Sequence, residues 1–218
     1  MSTRIHFQAE MEAFRAGLVE MASLALRQVE RAVAAWEEVD GESAMQVIVD
    51  DDLVDQRCME LDQKVFSIQL LEAPVAADQR LLHVGLIAVV ALERVGDLAV
   101  AIAEMARSVG PEGAVPRVQA LISRMSARAV NALAEAVQAI ARGDAELGES
   151  ATESAEEVHR MLHELLAAVA SASDEPETRA WSAAAVLVGR HLERVANNGG
   201  ELGGRVRFLV SGEPYTRG

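Results

Sequence analysis

Six interruptions cut the chain into long, proline-free segments. Breaks fall at Asp40-Gly41, Ala73-Pro74, Gly110-Pro111 with Gly113 and Pro116, Gly143-Asp144, Asp174-Glu175-Pro176, and Ser211-Gly212. The six segments between them are each roughly 26 to 35 residues long. Within them apolar residues recur at the spacing of one helical face. In the first segment Leu18, Met21, Ala22, Ala25, Val29 and Ala32 follow the 3.6-residue period. Helices of that length run about 40–50 Å. Composition agrees with this reading. Half of the 218 residues are hydrophobic but only 3% are aromatic. Ala, Val and Leu carry the apolar content, which favours packed helices over a β-sandwich.

The breaks recur at an offset near 100, pairing position 41 with 143, 74 with 176 and 93 with 193. The same offset relates LERVGDLA (92–99) to LERVANNG (192–199). A unit of three helices has been duplicated. The expected fold is all-α: two tandem three-helix bundles, six long helices in all, over residues 1–110 and 111–218.

The formal net charge is −14. Such a chain repels phosphate backbones, so nucleic acid is not an expected partner. Cys58 is alone, with no disulfide framework and no cysteine zinc motif, as suits a reducing cytoplasm. The opening MSTRIHFQAEME lacks the apolar core of a signal peptide. The longest apolar run, Leu81 to Leu92, contains His83 and is too short to span a bilayer. A cytoplasmic location without membrane insertion is expected. No nucleophile has an oriented base and no glycine-rich loop cradles a nucleotide, so an enzyme is not expected.

The chemistry concentrates in the third segment. Between Arg80 and Glu104 its only charged residues are Glu93, Arg94 and Asp97. Glu93 and Asp97 stand four apart, so both carboxylates leave one helical face. Gly96 gives a neighbour room to approach. The second segment carries VDDDLVDQ (49–56), in which Asp51 and Asp55 are again four apart. In an antiparallel hairpin turning near Pro74 the two pairs fall at equal height. Four carboxylates at one spot stay ionised only if cations or protons compensate. All-oxygen ligands suit Mg²⁺, Ca²⁺, Mn²⁺ or iron. Equal heights in the second half select Glu153 and Glu157 opposite Glu193 and Asn197. That second site has lost a charge at Asn197, and Glu156, His159 and His163 lie near enough to rebuild it. The other expectations are structural. His6, His83 and His191 are ordinary helix residues, Trp36 and Trp181 belong to the core, and Cys58 is a small buried hydrophobe. Met11, Met21, Met45, Met59, Met105, Met125 and Met161 fill gaps.

These motifs resemble the PhoU family, accessory proteins of bacterial phosphate transport. The resemblance rests on APVAADQR (73–80), ALERVGDLAVAIAEMA (91–106) and RHLERVANNGGELGGRVRFLVSGE (190–213), and covers nearly the whole chain. It implies paired acid-x-x-x-acid motifs lining a metal site in each bundle. Carried over, these are Asp51 with Asp55 and Glu93 with Asp97. The ion would be divalent or trivalent, drawn from Mg²⁺, Mn²⁺, iron, Zn²⁺ and Ca²⁺. Gln79 stands where the family usually has Leu, and the second Gly-Asp has become Ala196-Asn197. The resemblance also implies a role: repression of the phosphate-starvation response, through contact with a sensor histidine kinase and the ATPase subunit of the phosphate transporter. The protein would then lie peripherally at the inner face of the membrane through its partners, and a homodimer is open. Two other readings compete. One is a di-iron carboxylate, ferritin-like enzyme, which needs Glu-x-x-His on two helices; the chain has one, Glu156 to His159. The other is a metal-free helical scaffold.

Overall fold

The computed structural model describes residues 2–72, 74–172 and 174–213. Helices α1 (Ser2–Glu38), α2 (Gly41–Val49), α3 (Asp52–Glu72) and α4 (Ala77–Ser108) form the first half. A 3-10 turn at Pro111–Gly113 leads into α5 (Pro116–Arg142), α6 (Ala145–Ala170) and α7 (Pro176–Ser211). No strand occurs among the described residues. Every expected break interrupts a helix, although Ala73 itself lies outside the described residues.

The second segment, expected as a single helix, is two helices. Its first part, α2, ends at Val49, and α3 starts afresh at Asp52. The three consecutive aspartates 50–52 explain the break, because Asp hydrogen-bonds nearby backbone and prefers helix ends to interiors. Arg31 Nη1 and Gln46 Nε2 donate to the Asp50 carboxylate at 2.6 and 2.7 Å. Its counterpart α6 runs unbroken for 26 residues.

The duplication is visible atom by atom. The Asp40 N–H donates to Ala35 O, and the Asp144 N–H donates to Ala139 O, both at 3.0 Å. Asp40 then caps α2 by accepting from the Glu42 and Ser43 amides, as Asp144 caps α6 by accepting from those of Glu146 and Leu147. Left-handed backbone precedes each cap. Gly143 supplies it at φ +68°, where Val39 supplies it at φ +53°.

Helices α1, α4, α5 and α7 form the centre, where α1 packs on its duplicate α5 and α4 on its duplicate α7. Outside this centre, α3 lies against α1 and α4, and α6 against α5 and α7. One hydrophobic core runs through both halves. Trp36 and Trp181 meet across the junction with ring centroids 5.4 Å apart. Polar ties also cross it: Arg15 to Ala141 O, Arg80 to Leu209 O and Gln119 to Glu37 O. The buried methionines are Met11, Met21, Met125 and Met161. Met45 and Met59, expected as gap fillers, are instead exposed, on the outer helices.

Candidate metal centre

The first-half site is built where α3 begins. The Val54 and Asp55 amides donate to Asp51 O at 2.9 and 3.2 Å, so the break makes Asp51 the entry residue of α3. Its side chain turns inward against α4. A Cβ on Gly96 would stand 2.7 Å from Asp51 Oδ1 and 3.3 Å from Gln28 Oε1. Glycine is therefore required at 96 for Asp51 to lie flat on the helix. Asp55 and Asp97 reach solvent, and Glu93 is half-buried.

The four carboxylates feel one another. Asp51 is pushed up from 3.8 to about 6, first by burial and then by the charges of Asp55, Asp97 and Glu93. Glu93 is also raised, by burial and by Asp97 and Asp55, with Arg94 pulling the other way. Cys58, half-buried beside them, has its thiol raised by burial and by Glu93, Asp62 and Asp55. The cluster is thus one electrostatic unit. Its side chains do not converge to bonding distance of a common point: among the described residues no three His, Cys, Asp or Glu side chains are close enough to hold an ion.

Sequence reasoning missed Gln28. It sits on α1 within the apolar stripe, 4% exposed. Neither its Oε1 nor its Nε2 completes a hydrogen bond, and neither does the adjacent Asp51 Oδ1. The amide only tempers the rise of Asp51. Buried polar atoms without partners cost about 1–3 kcal/mol each. Gln28 Oε1 and Asp51 Oδ1 both lie over Gly96, and unpartnered oxygens are donors that a hard cation accepts. A signal existed, since a Gln in a core register between Ala25 and Val29 is out of place.

The second half has a different register from the expected one. Ala35 and Asp40 correspond to Ala139 and Asp144, an offset of 104. Burial follows the same offset through α2 and the first half of α3: Ala44, Val47, Val54 and Leu61 match Gly148, Ala151, Val158 and Leu165, whereas the buried Val65 and Ile68 fall on the half-buried Val169 and Ala172. From α4 to α7 the offset is 100, as Leu92 and Val95 match Leu192 and Val195. The counterparts of Asp51 and Asp55 are therefore Ala155 and His159, not Glu153 and Glu157. Contacts across the pair agree. His159 Nδ1 lies 2.6 Å from Glu193 Oε1, and Thr152 Oγ1 donates to Gly200 O at 3.2 Å.

Charges in this half are already answered by the protein. The Glu193 side chain is 2% exposed and paired with Arg190 as well as His159. Glu157 turns to Arg128, whose Nη2 is 2.5 Å away. Glu153, Glu156 and Asn197 are exposed. His163 stacks edge-on against His159 at 5.0 Å. Ala196 replaces Gly96, and Ala132 replaces Gln28. With one buried carboxylate already held by Arg190 and His159, the second site does not fit a metal ion.

The remaining histidines behave as structural residues. His83 packs edge-on against Phe208 at 6.1 Å. Burial and Arg194 push the half-buried His191 down, toward its neutral form.

The PhoU domain family model matches residues 18–106 and again 122–202. The phosphate-specific transport system accessory protein PhoU homolog of Pseudomonas aeruginosa is 31% identical over 210 residues, covering 94% of this chain and 86% of that one. PhoU homolog 1 of Mycobacterium leprae is 30% identical over 216 residues, with 96% and 94% covered. The crystal structure of PhoU from Pseudomonas aeruginosa superposes with a TM-score of 0.87 at 29% identity, over 94% of this chain and 99% of that chain. The phosphate transport system regulatory protein PhoU from Streptococcus pneumoniae shares the fold, with a TM-score of 0.88 at 19% identity, over 97% and 99%.

Proposed function

Because the chain belongs to the PhoU family, we propose that it is an accessory regulator of phosphate uptake and of the phosphate-starvation response. It acts by binding rather than by chemistry, as an adaptor between the phosphate transporter's ATPase subunit and a sensor histidine kinase. The observation that carries this reading is the double family match, one copy in each half, over residues 18–106 and 122–202. No helix among the described residues is long and apolar enough to cross a membrane, so contact with a membrane transporter would run through such partners at the cytoplasmic face.

The reading includes a cation in the first half. Asp51, Asp55, Glu93 and Asp97 would hold it, with Gln28 behind them. An ion there supplies positive charge that relieves four mutually repelling carboxylates and fastens α3 to α4. Mg²⁺, Mn²⁺, iron, Zn²⁺ and Ca²⁺ are the ions to compare, and the oxygen donors favour the hard ones.

The test is a pull-down with the tagged full chain from phosphate-replete cells, scored for a histidine kinase and a transporter ATPase. Recovery of both is expected, and recovery of neither overturns the adaptor reading. Elemental analysis of protein purified without chelator examines the cation separately, and a metal-free result leaves a helical scaffold. A di-iron oxidase is not favoured, because Glu156 faces solvent and His159 is taken by Glu193.

A further inference from the structure

The outer face of α3 carries apolar side chains that nothing covers. Met59, Phe66 and Leu70 are 59, 65 and 69% exposed. Their spacing of seven and then four residues sets them in one stripe, opposite the buried Val54, Leu61, Val65 and Ile68. Among the described residues the helix packs chiefly on α1 and α4, through its other faces. Beside Phe66 the surface dips into a groove of about 410 Å³, reaching Asp62 on α3 and Leu86 on α4.

Folding does not demand this stripe. At the offset of 104, Met59, Phe66 and Leu70 correspond to His163, Ala170 and Asp174. At those three positions the duplicate helix does without large apolar groups, and its one exposed large apolar side chain among the described residues is Leu166. It also ends about a turn and a half sooner, so the end of α3 that carries Leu70 has no helical counterpart. An apolar face kept on one copy alone reads as a contact surface.

Charge selects the occupant. Both cations of α3 are turned toward α1 or along their own helix: Arg57 pairs with Glu20 and Glu60, and Lys64 with Glu10. The charged residues that flank the stripe are Asp52, Asp55 and Asp62, all exposed. On α4, Arg80 is turned to Leu209 O of α7, and Arg94 stands two turns beyond Leu86. A second copy of this face would set acids against acids, and an anionic lipid surface would be repelled. We propose that the α3–α4 face is a docking groove for a basic amphipathic helix of a partner protein. Its apolar side would lie on Met59, Phe66, Leu70 and Leu86, and its Lys or Arg residues would meet Asp52 and Asp62. This is a property of the surface, so it stands or falls apart from the phosphate reading.

The probe is a labelled amphipathic Leu/Lys peptide of about 18 residues, long enough for five helical turns. Its control is the same pattern written with Leu/Glu. Binding to the full chain is measured by fluorescence anisotropy. The Leu/Lys peptide should bind, and binding should fall at least tenfold in Phe66→Ser/Leu70→Ser. That variant keeps the net charge, so general attraction to an acidic protein is unchanged. Both side chains are exposed, and circular dichroism will report whether the fold is kept. Asp62→Lys, a second variant, should weaken binding without touching an apolar group, whereas Leu166→Ser on α6 should leave it unaltered. Equal binding to wild type and Phe66→Ser/Leu70→Ser overturns the proposal, as does equal binding of the Leu/Glu peptide. So does a wild-type dimer in sedimentation that Phe66→Ser/Leu70→Ser converts to monomer, since the face would then serve self-association.

Discussion

At matched positions the two halves solve the same problem in opposite ways. Glu93 and Glu193 occupy equivalent places on α4 and α7. Around Glu93 stand Asp51, Asp55 and Asp97, and no protein cation is paired with it among the described residues. Around Glu193 stand His159 and Arg190, with Ala155 where Asp51 would be. The first half keeps an unmet demand for positive charge, visible in the raised Asp51 and Glu93. The second half has met that demand from its own side chains. Duplicated units need not keep duplicated sites: the backbone persists because its core is apolar, while charge balance is reached with whichever cation is at hand.

The sharpest test of this contrast removes the two side chains that hold Glu193. In Arg190→Ala/His159→Ala a carboxylate with 2% exposure is left without a partner. The expected loss is about 3 kcal/mol, the lower end for breaking a buried pair. Urea denaturation measures it. Arg94→Ala, in the first half, should change stability by less than about 0.5 kcal/mol. Equal losses in the two would erase the distinction.

An added ion should act on one half only. Chelator-stripped protein titrated with Mn²⁺ or Mg²⁺ is expected to gain about 2.7 kcal/mol at a hundredfold excess over Kd. Asp97→Asn should weaken that ion at least tenfold. Asn197→Asp alone should add no second ion, since Arg190 and His159 already hold Glu193. A stoichiometry of two ions in Asn197→Asp, by calorimetry, would show that the second half had only been waiting for its acid.

A smaller effect concerns Asp51 in metal-free protein. Its carboxyl rises from 3.8 to about 6 on folding. The folded state therefore binds the proton more tightly than the unfolded chain. The stability so gained is full below pH 4 and is lost as pH climbs through 6. Asp51→Asn removes the ionised form. It should be more stable than wild type by about 1–2 kcal/mol at pH 7, allowing for partial solvent screening. The gap should close toward pH 4. A constant gap across pH 4–7 in paired melts would mean that the charge is not its cause.

The smallest effect compares the two α-helix ends. Val39 adopts the left-handed backbone that Gly143 provides in the duplicate. That conformation costs a β-branched residue about 1–2 kcal/mol, while glycine loses part of the benefit in unfolded-chain entropy. Val39→Gly should therefore raise stability by roughly 0.5 kcal/mol, and Gly143→Val should lower it by about 1 kcal/mol. Thermal melts of both variants would read the difference, and a destabilised Val39→Gly would show that the valine packs too well to be replaced.

Much of this molecule was legible in its sequence. Helical periods, Gly-Asp and Pro breaks and LERV written twice are local signals, and local signals determine where helices start, stop and repeat. The acids of α4 stood out because they interrupt an apolar face. The break at Asp50–Asp52 was legible too, in three adjacent aspartates, although no Gly or Pro marks it. The inward phase of α6 could also be read: Ala151, Ala155, Val158 and Leu162 form its buried stripe, and Glu153 and Glu157 stand off it. What no periodicity could supply was axial height. A slide of four residues is close to one turn and returns almost the same face to the core. Offsets of 100 and 104 therefore bury α6 about equally well, yet one sets Ala151 and Ala155 at the site and the other Ala155 and His159. The equivalent caps at Asp40 and Asp144, and side chains meeting across α6 and α7, His159 on Glu193 and Thr152 on Gly200, chose between them. Tertiary packing also brought Gln28 from α1 against Asp51, because a third helix enters a hairpin's site through the core.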